Sequence, residues 1–345
     1  MKDTLKILTE TNSISGDEGS IRTVLKDMLK DHVDSMEEDA LGNLIVKKGE
    51  GSPVYLLDAH MDEVGFMVRY IEDEGFIRFF PIGYHWSPNI LNQRVTIQTK
   101  QGKVTGVIQC KPASLMDEEE VKKQLKWKDM FIDVGASSKE EVEKLGIKDG
   151  DSIIIQGTFE HLSGTKYMAK AFDNRVGTAS LVKILKQIKE FKGTIYGVFS
   201  SQEEVGLKGA RVAAAKIKPD YIITLEMGHG RPPMAKKWEM GTEVGDGPII
   251  TLVEYLGRGL IVNPKLLKVF KEKAEKHKIP LQIDTTSAAV PGVTNSAAMQ
   301  ITAEGFPTIT LGVPTKYWHT PNQIIDIEDL ENMTKLVMTV VEEGI

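Results

Sequence analysis

Two adjacent carboxylates, Glu203 and Glu204, interrupt a regular pattern in the middle of the chain. The apolar, β-branched run from Thr194 to Phe199 is typical of a buried strand, and helical spacing begins at Val205. We therefore expect the two acids at the carboxyl end of a strand, where ligands bind in open α/β sheets. Two acids before a helix can also simply complement its dipole, so this pair alone does not decide between chemistry and structure.

Five further residues lie in similar positions and favour chemistry. His60 and Asp62 follow a short apolar run from Val54 to Leu57, and residues two apart on extended backbone point the same way. A carboxylate beside an imidazole is a common way to fix the tautomer of a metal-ligating histidine. The other three residues, each next to a predicted strand or helix end, are Asp173, Glu226 and His319.

This set of two histidines and five carboxylates suits zinc, cobalt or manganese. A site with two metal ions needs one bridging carboxylate and one or two further ligands for each ion. Five residues are enough for that, which leaves Asp62 to orient a ligand and one glutamate to accept a proton from water. The residue types do not show which of Glu203 and Glu204 binds metal.

Composition excludes some classes of partner. The 345 residues are 41% hydrophobic and 27% charged, which is typical of a soluble globular protein long enough for two domains. A net charge of -6 argues against nucleic acid as the main partner, and no run approaches the ~20 apolar residues of a membrane span. The charged, amphipathic N-terminus and the single cysteine, Cys110, favour a cytoplasmic location.

The pattern of strands and helices divides the chain into two parts. Residues 1–65 and 162–345 alternate between strand-like runs and helical spacing, which predicts an α/β domain with a mostly parallel sheet flanked by helices. Residues 66–161 carry several short β-rich runs, which predict an inserted, small β-barrel-like domain. Near the N-terminus, Ser15 to Glu18 fits a capping box that would start a helix.

Four segments resemble the tetrahedral (TET-type) dinuclear-metal aminopeptidases, whose members are also labelled glutamyl aminopeptidases or endoglucanase-like proteins. The resemblance runs along nearly the whole chain, and its most specific part is the Gln-Glu-Glu-Val-Gly run that begins at Gln202. The four segments are His60–Gly65, Ala171–Gly177, Gln202–Ala210 and Lys316–Pro321.

The resemblance implies an aminopeptidase that hydrolyses N-terminal residues from peptides through a dinuclear metal-bound hydroxide. Glu203 would then be the general base, and Asp62 would orient His60. Asp173 would bridge the two ions, and the full ligand set would be His60, Asp173, Glu204, Glu226 and His319. The family also implies a homo-oligomer, expected to be a dodecamer built from dimers, with the inserted domain used in assembly.

Within that ligand set, the resemblance implies a partner for each histidine. His60 and Glu226 would bind one ion, and Glu204 and His319 would bind the other. Two nearby residues are open to more than one interpretation: His229, three residues after Glu226, fits a surface or loop histidine and also the lining of the substrate pocket, and Trp318 adjoins a proposed ligand and could shape the pocket wall.

Three positions depart from the family pattern. Glu226 and Asn295 each stand where aspartate is usual, which leaves the metal geometry and a substrate contact open, and Ser114 replaces a common loop histidine. A non-catalytic homologue that binds or scaffolds peptides therefore stays open as an alternative. A glycosidase is a further alternative, because paired carboxylates can flank a sugar bond, but the two histidines would then have no role.

Overall fold

The computed structural model describes the backbone of residues 1–345 and all side chains except that of residue 288. The α-helices are α1 Lys2–Glu10, α2 Gly19–Leu29, α3 Ser87–Ile90, α4 Glu118–Lys122, α5 Lys139–Lys144, α6 Phe172–Gln187, α7 Lys208–Ile217, α8 Pro264–Lys276, α9 Asn295–Gln300 and α10 Ile327–Glu343. Among the described residues, no helix has the length and apolar character that crossing a membrane requires.

The strands form three separate sheets. They are β1 Ser35–Glu38, β2 Leu44–Glu50, β3 Val54–His60, β4 Gly65–Ile71, β5 Ile77–Ile82, β6 Arg94–Thr99, β7 Gly102–Cys110, β8 Met130–Asp133, β9 Ser152–Ile155, β10 Glu160–Ser163, β11 Lys166–Ala169, β12 Gly193–Ser200, β13 Tyr221–His229, β14 Ile249–Thr251, β15 Gln282–Asp284, β16 Thr308–Thr315 and β17 Gln323–Asp326.

The largest sheet has eight strands in the order β1-β2-β12-β3-β13-β16-β14-β15. Its four central strands, β12, β3, β13 and β16, run parallel, so their carboxyl ends meet at one edge. The outer strands β2 and β14 are antiparallel to their central neighbours. This arrangement confirms the predicted fold class of a mostly parallel sheet flanked by helices.

Side chains of the central strands alternate between two apolar cores, one on each face of the sheet. Leu57 and Phe199 face the core that also contains side chains of α1, α2, α6, α8 and α10. Leu56 and Val198, each one residue earlier, face the smaller core formed with α7 and α9. Burial of both faces explains why these strands are continuous apolar runs rather than alternating ones.

The second sheet is a closed barrel of six strands between Gly65 and Ile155, in the order β4-β5-β8-β7-β6-β9. It has its own apolar core, which includes Phe66, Ile97 and Ile132. The barrel confirms the expected inserted β-barrel-like unit. The division at residues 66–161, and a role of this unit in assembly, stay predictions.

The third sheet, β10-β11-β17, is absent from the sequence-based prediction. In this sheet, β10 and β11 form a short hairpin at residues 160–169, and β11 also pairs with β17, the strand just before α10. Lys166 lies opposite Asp326 in that pairing. Strands of four residues give only a weak periodic signal, and pairing across such a sequence separation gives none.

Three predicted element boundaries are wrong. Helix α7 begins at Lys208 rather than Val205, because Gly206 and Leu207 have positive φ angles and break the helical path. Strand β13 continues through His229, so Glu226 lies inside the strand instead of next to its predicted end. The capping box at residues 15–18 does not form, since α2 begins at Gly19 without a side-chain cap.

Candidate metal centre

The parallel strands bring three of the predicted site residues to one edge of the sheet. His60 is the last residue of β3 and lies beside Ser200, the last residue of β12. Immediately after β12, a turn places Glu203 and Glu204 at the same edge. The turn closes with a hydrogen bond of 3.0 Å, which the backbone N–H of Gly206 donates to Glu203 O. Two strand ends in register therefore explain why residues far apart in sequence face each other.

Asp173 comes from the irregular first turn of α6. Its backbone N–H donates to Gln323 Oε1 over 2.8 Å, and neither it nor Asn174 has helical φ and ψ angles. The Asn174 amide donates to Leu225 O over 2.9 Å, which ties this turn to β13. The turn thus directs the Asp173 carboxylate toward the edge of the sheet instead of along the helix.

The Asp173 carboxylate lies between the two histidines. Its Oδ1 is 3.3 Å from His60 Nε2, and its Oδ2 is 3.3 Å from His319 Nε2. Two ligand atoms that share one zinc ion in a tetrahedral site are separated by roughly 3.4 Å, given metal-ligand distances of about 2.1 Å. Each Asp173 oxygen is therefore at the distance from one imidazole nitrogen that two ligands of the same metal ion have.

The three glutamates surround the same pair of imidazoles. Glu226 Oε2 is 3.8 Å from His60 Nε2, and Glu204 Oε2 is 3.4 Å from His319 Nε2. Glu203 Oε2 also approaches His60 Nε2, at 3.9 Å. His60, Asp173 and Glu204 offer atoms within 4.8 Å of one another, as do His60, Glu203 and Glu226.

Asp62, the seventh predicted residue, lies behind His60 and does more than the sequence suggested. Its Oδ1 is 3.4 Å from His60 Nδ1 and accepts the Glu203 N–H at 3.1 Å. Its Oδ2 accepts the Glu204 N–H at 3.2 Å and the Ser15 hydroxyl at 2.5 Å. His60 Nδ1 also lies 3.2 Å from the backbone carbonyl oxygen of Asp62. Asp62 therefore holds the histidine ring through its carbonyl and carboxylate, and it holds the turn that carries the two glutamates through the carboxylate.

The failed capping box belongs to this same support. Besides the Ser15 bond to Asp62, Glu18 Oε1 accepts the backbone N–H groups of Gly16 at 2.8 Å and Gln202 at 3.1 Å. Glu18 thus accepts one N–H group of its own loop and one at the start of the glutamate turn, whereas the Ser15 hydroxyl donates to a carboxylate. The motif predicts N–H binding by Glu18 correctly, but it places that binding at the wrong element, and the N–H binding that it predicts for Ser15 is wrong.

Electrostatics show that the cluster carries an excess of acid. Burial raises the pKa of Glu203, Glu204 and Glu226 above the usual carboxyl value. Burial opposes positive charge on His60 and His319, but the facing carboxylates outweigh it and raise the pKa of both imidazoles. More acidic than basic groups share this buried space, so additional positive charge would stabilise their ionised forms.

Two buried oxygen atoms indicate where that positive charge belongs. Glu204 Oε1 and Glu226 Oε1 are both inaccessible to solvent and have no hydrogen-bond partner among the described residues. A buried carboxylate oxygen without a partner is strongly unfavourable unless it binds a cation. The residues present therefore fit divalent metal ions, which the mixed nitrogen and oxygen donors would accept.

The replacement of aspartate by Glu226 has a local explanation. Its side chain folds back so that Oε2 accepts the backbone N–H of the next residue, Met227, at 3.2 Å. This conformation takes up part of the extra methylene, and the carboxylate still reaches the His60 side of the cluster. The residue is inside β13, opposite Gly312 of β16, so its backbone is fixed by the sheet.

Asn295, the other departure from the family pattern, does not contact the cavity. The expectation that it bears on substrate contact is wrong, because its side chain is fully buried below the strand ends. Its Nδ2 donates to Asp58 Oδ2 and to Ser200 Oγ, each over 2.9 Å. The Asn295 side chain thus links β3 and β12 through these two hydrogen bonds.

A cavity of about 170 Å³ opens beside the cluster. His229 and Trp318 both line it, with their ring centroids 4.5 Å apart, so His229 is a cavity residue and not a surface one. Sequence reasoning missed two further lining residues, Glu254 and Ser287, because neither belongs to a strand-end motif. The cavity gives a ligand direct access to the carboxylates and imidazoles.

Comparisons with known proteins identify the family of the chain. The profile of the M42 glutamyl aminopeptidase family matches residues 42–336. The chain is 33% identical over 341 residues to the lysyl aminopeptidase of Pyrococcus furiosus, covering 98% of this chain and 96% of that protein.

Solved structures give the same result. The aminopeptidase APDkam598 from the archaeon Desulfurococcus kamchatkensis superposes with a TM-score of 0.94 at 35% identity, covering 99% of this chain and 94% of that chain. The TET1 peptidase of Pyrococcus horikoshii, which can assemble into a tetrahedron or a large octahedral shell, gives 0.87 at 32% identity, covering 99% of each chain. The chain therefore belongs to the M42 glutamyl aminopeptidase family of metal-dependent peptide-bond hydrolases.

Proposed function

We propose that this aminopeptidase removes the first residue of short peptides at a centre of two divalent metal ions, with zinc or cobalt expected first and manganese as a third possibility. The observation that supports two ions is the Asp173 carboxylate, which directs one oxygen toward each histidine at 3.3 Å. The proposed ligands are His60, Asp173, Glu204, Glu226 and His319.

Bound metal ions would supply Lewis-acid polarisation of the peptide carbonyl and of water. Glu203 is proposed to accept the proton of the attacking water and to deliver it to the leaving amine. Its side chain is 11% exposed, compared with 6% for Glu204 and 4% for Glu226, so it is the glutamate most open to the cavity. Asp62 is proposed to hold the His60 ring and the Glu203 backbone in place.

Removal of metal is expected to abolish hydrolysis, and addition of zinc or cobalt is expected to restore it. A substrate amine would bind beside the acidic cluster, so an N-acetylated peptide should not be cleaved. The measurement compares free and acetylated forms of one peptide, before and after chelation. Equal cleavage of both forms would contradict an aminopeptidase, and full activity after chelation would contradict a metal centre.

The glycosidase and scaffold alternatives have less support. Both histidines belong to the cluster, and a glycosidase that works with two carboxylates would give these histidines no role. A scaffold without catalysis was suggested by Glu226 and Asn295, yet Glu226 still reaches His60 at 3.8 Å and Asn295 lies outside the cavity.

We further propose that the chain assembles into a closed homo-oligomer with the barrel unit at subunit contacts. A tetrahedral shell of identical subunits contains twelve of them, and the related TET1 peptidase can assemble into a tetrahedron. We expect light scattering at micromolar concentration to give a mass near that of a dodecamer, with dimers as the smaller species. A stable monomer of 38.3 kDa would contradict this proposal.

A further inference from the structure

The cavity beside the cluster has an unusual charge pattern. Among its described lining residues there is no lysine or arginine, whereas a carboxylate outside the proposed metal ligands and base, Glu254, belongs to its wall. A substrate held by its amine at the cluster would place its first side chain in the remaining space of this cavity. The charge of that space therefore bears on which first residue is accepted.

Glu254 is held in a fixed position at this wall. Its Oε2 accepts the backbone N–H groups of Leu260 at 3.2 Å and Thr294 at 3.1 Å. Its Oε1 accepts only the Thr294 hydroxyl, at 2.8 Å, which leaves one lone pair for a ligand. Burial raises the pKa of Glu254, and the groups that lower it are hydrogen-bond donors rather than a neighbouring cation.

His229 does not supply the missing positive charge. Ser287 Oγ donates its proton to Asp284 Oδ2, so it accepts the proton of His229 Nδ1 across 3.2 Å. Nε2 of His229 is then left with a lone pair, and burial lowers the pKa of the imidazole, which favours its neutral form. The ring packs against Trp318 and forms an uncharged wall.

We propose that this cavity selects peptides whose first residue is cationic, lysine or arginine, and that Glu254 is the specificity-determining residue. The proposal rests on the aminopeptidase function proposed above. The ammonium or guanidinium group would bind the free lone pair of Glu254, while the aliphatic stem packs along the uncharged wall formed by His229 and Trp318. An acidic first side chain would meet the Glu254 carboxylate, and no lysine or arginine among the described lining residues would offset that repulsion.

The first test uses the unaltered, metal-loaded enzyme and arylamides of lysine, norleucine and glutamate. Lysine and norleucine have side chains of similar length, so their comparison isolates the charge. We expect kcat/KM to be about 10- to 100-fold higher for lysine than for norleucine, and lowest for glutamate. A preference for glutamate, or equal values for lysine and norleucine, would overturn the proposal without any variant.

The second test is Glu254→Gln. The amide oxygen can still accept the two backbone N–H groups, and the amide nitrogen can donate to the Thr294 hydroxyl, so the wall is preserved. We expect kcat/KM for the lysine arylamide to fall roughly 10- to 100-fold while the norleucine value changes little. The matched control is Glu304→Gln, which removes an exposed carboxylate outside the cavity and should leave both values unchanged.

The outcomes separate this proposal from the proposed function. An equal loss for all three arylamides in Glu254→Gln would assign Glu254 to the substrate amine or to structure, and would overturn the specificity proposal alone. Unchanged lysine preference in that variant would do the same. No hydrolysis of any arylamide after metal loading would instead refute the aminopeptidase function, and the specificity proposal with it.

Discussion

Exchange of Glu203 for glutamine is expected to lower kcat about 10²- to 10⁴-fold while the metal content stays unchanged. Glutamine has the size of glutamate, but its amide cannot accept the proton of the attacking water. The turn should keep its shape, because Asp62 Oδ1 binds the backbone N–H of residue 203 and not its side chain. Loss of turnover would therefore report the missing base and not a displaced loop.

The matched control for this experiment is Glu204→Gln, one residue further along the same turn. Glu204 Oε2 is 3.4 Å from His319 Nε2, and its other oxygen is buried without a partner, so this variant should lose metal. Metal analysis and arylamide hydrolysis are measured on both proteins. If Glu203→Gln lost metal and Glu204→Gln kept it, the roles of the two glutamates would be reversed.

The sequence predicts the grouping of the site because parallel strand ends impose it. Once β3 and β12 are recognised as neighbouring strands, His60 and the glutamate turn must lie on the same edge. The spacing of His60 and Asp62 likewise predicts two side chains close together, and they are 3.4 Å apart. These inferences depend on local pattern and sheet geometry alone.

Other features depend on contacts that leave no local pattern. Ser15 fits a helix cap by sequence, but its hydroxyl binds Asp62, 47 residues away. Asn295 follows a loop that ends beside the cavity, and only the packed structure shows that its buried amide donates a hydrogen bond to Asp58 instead of facing the cavity. Glu254 lies in irregular backbone, so no periodicity connects it with the cavity that it lines.

Exchange of Asp173 for alanine is expected to remove both metal ions and to abolish hydrolysis as completely as a chelator does. Asp173 places one oxygen 3.3 Å from each of the two histidines, so both ions would lose a ligand in this variant. No other described carboxylate has this position and could replace it. The backbone at this position should persist, because the residue 173 N–H still donates to Gln323. Metal analysis after dialysis, together with arylamide hydrolysis, measures both effects.

The comparison with Glu226→Ala makes this prediction specific to a shared ligand. Glu226 approaches only His60, at 3.8 Å, and its unpartnered buried oxygen would bind only the ion on that side. Its removal should therefore release about one equivalent of metal, whereas removal of Asp173 should release two. Two tightly held ions in Glu226→Ala would exclude that glutamate as a ligand. A single ion lost from Asp173→Ala would show that the carboxylate serves one ion, because a bridging group cannot be removed without weakening both.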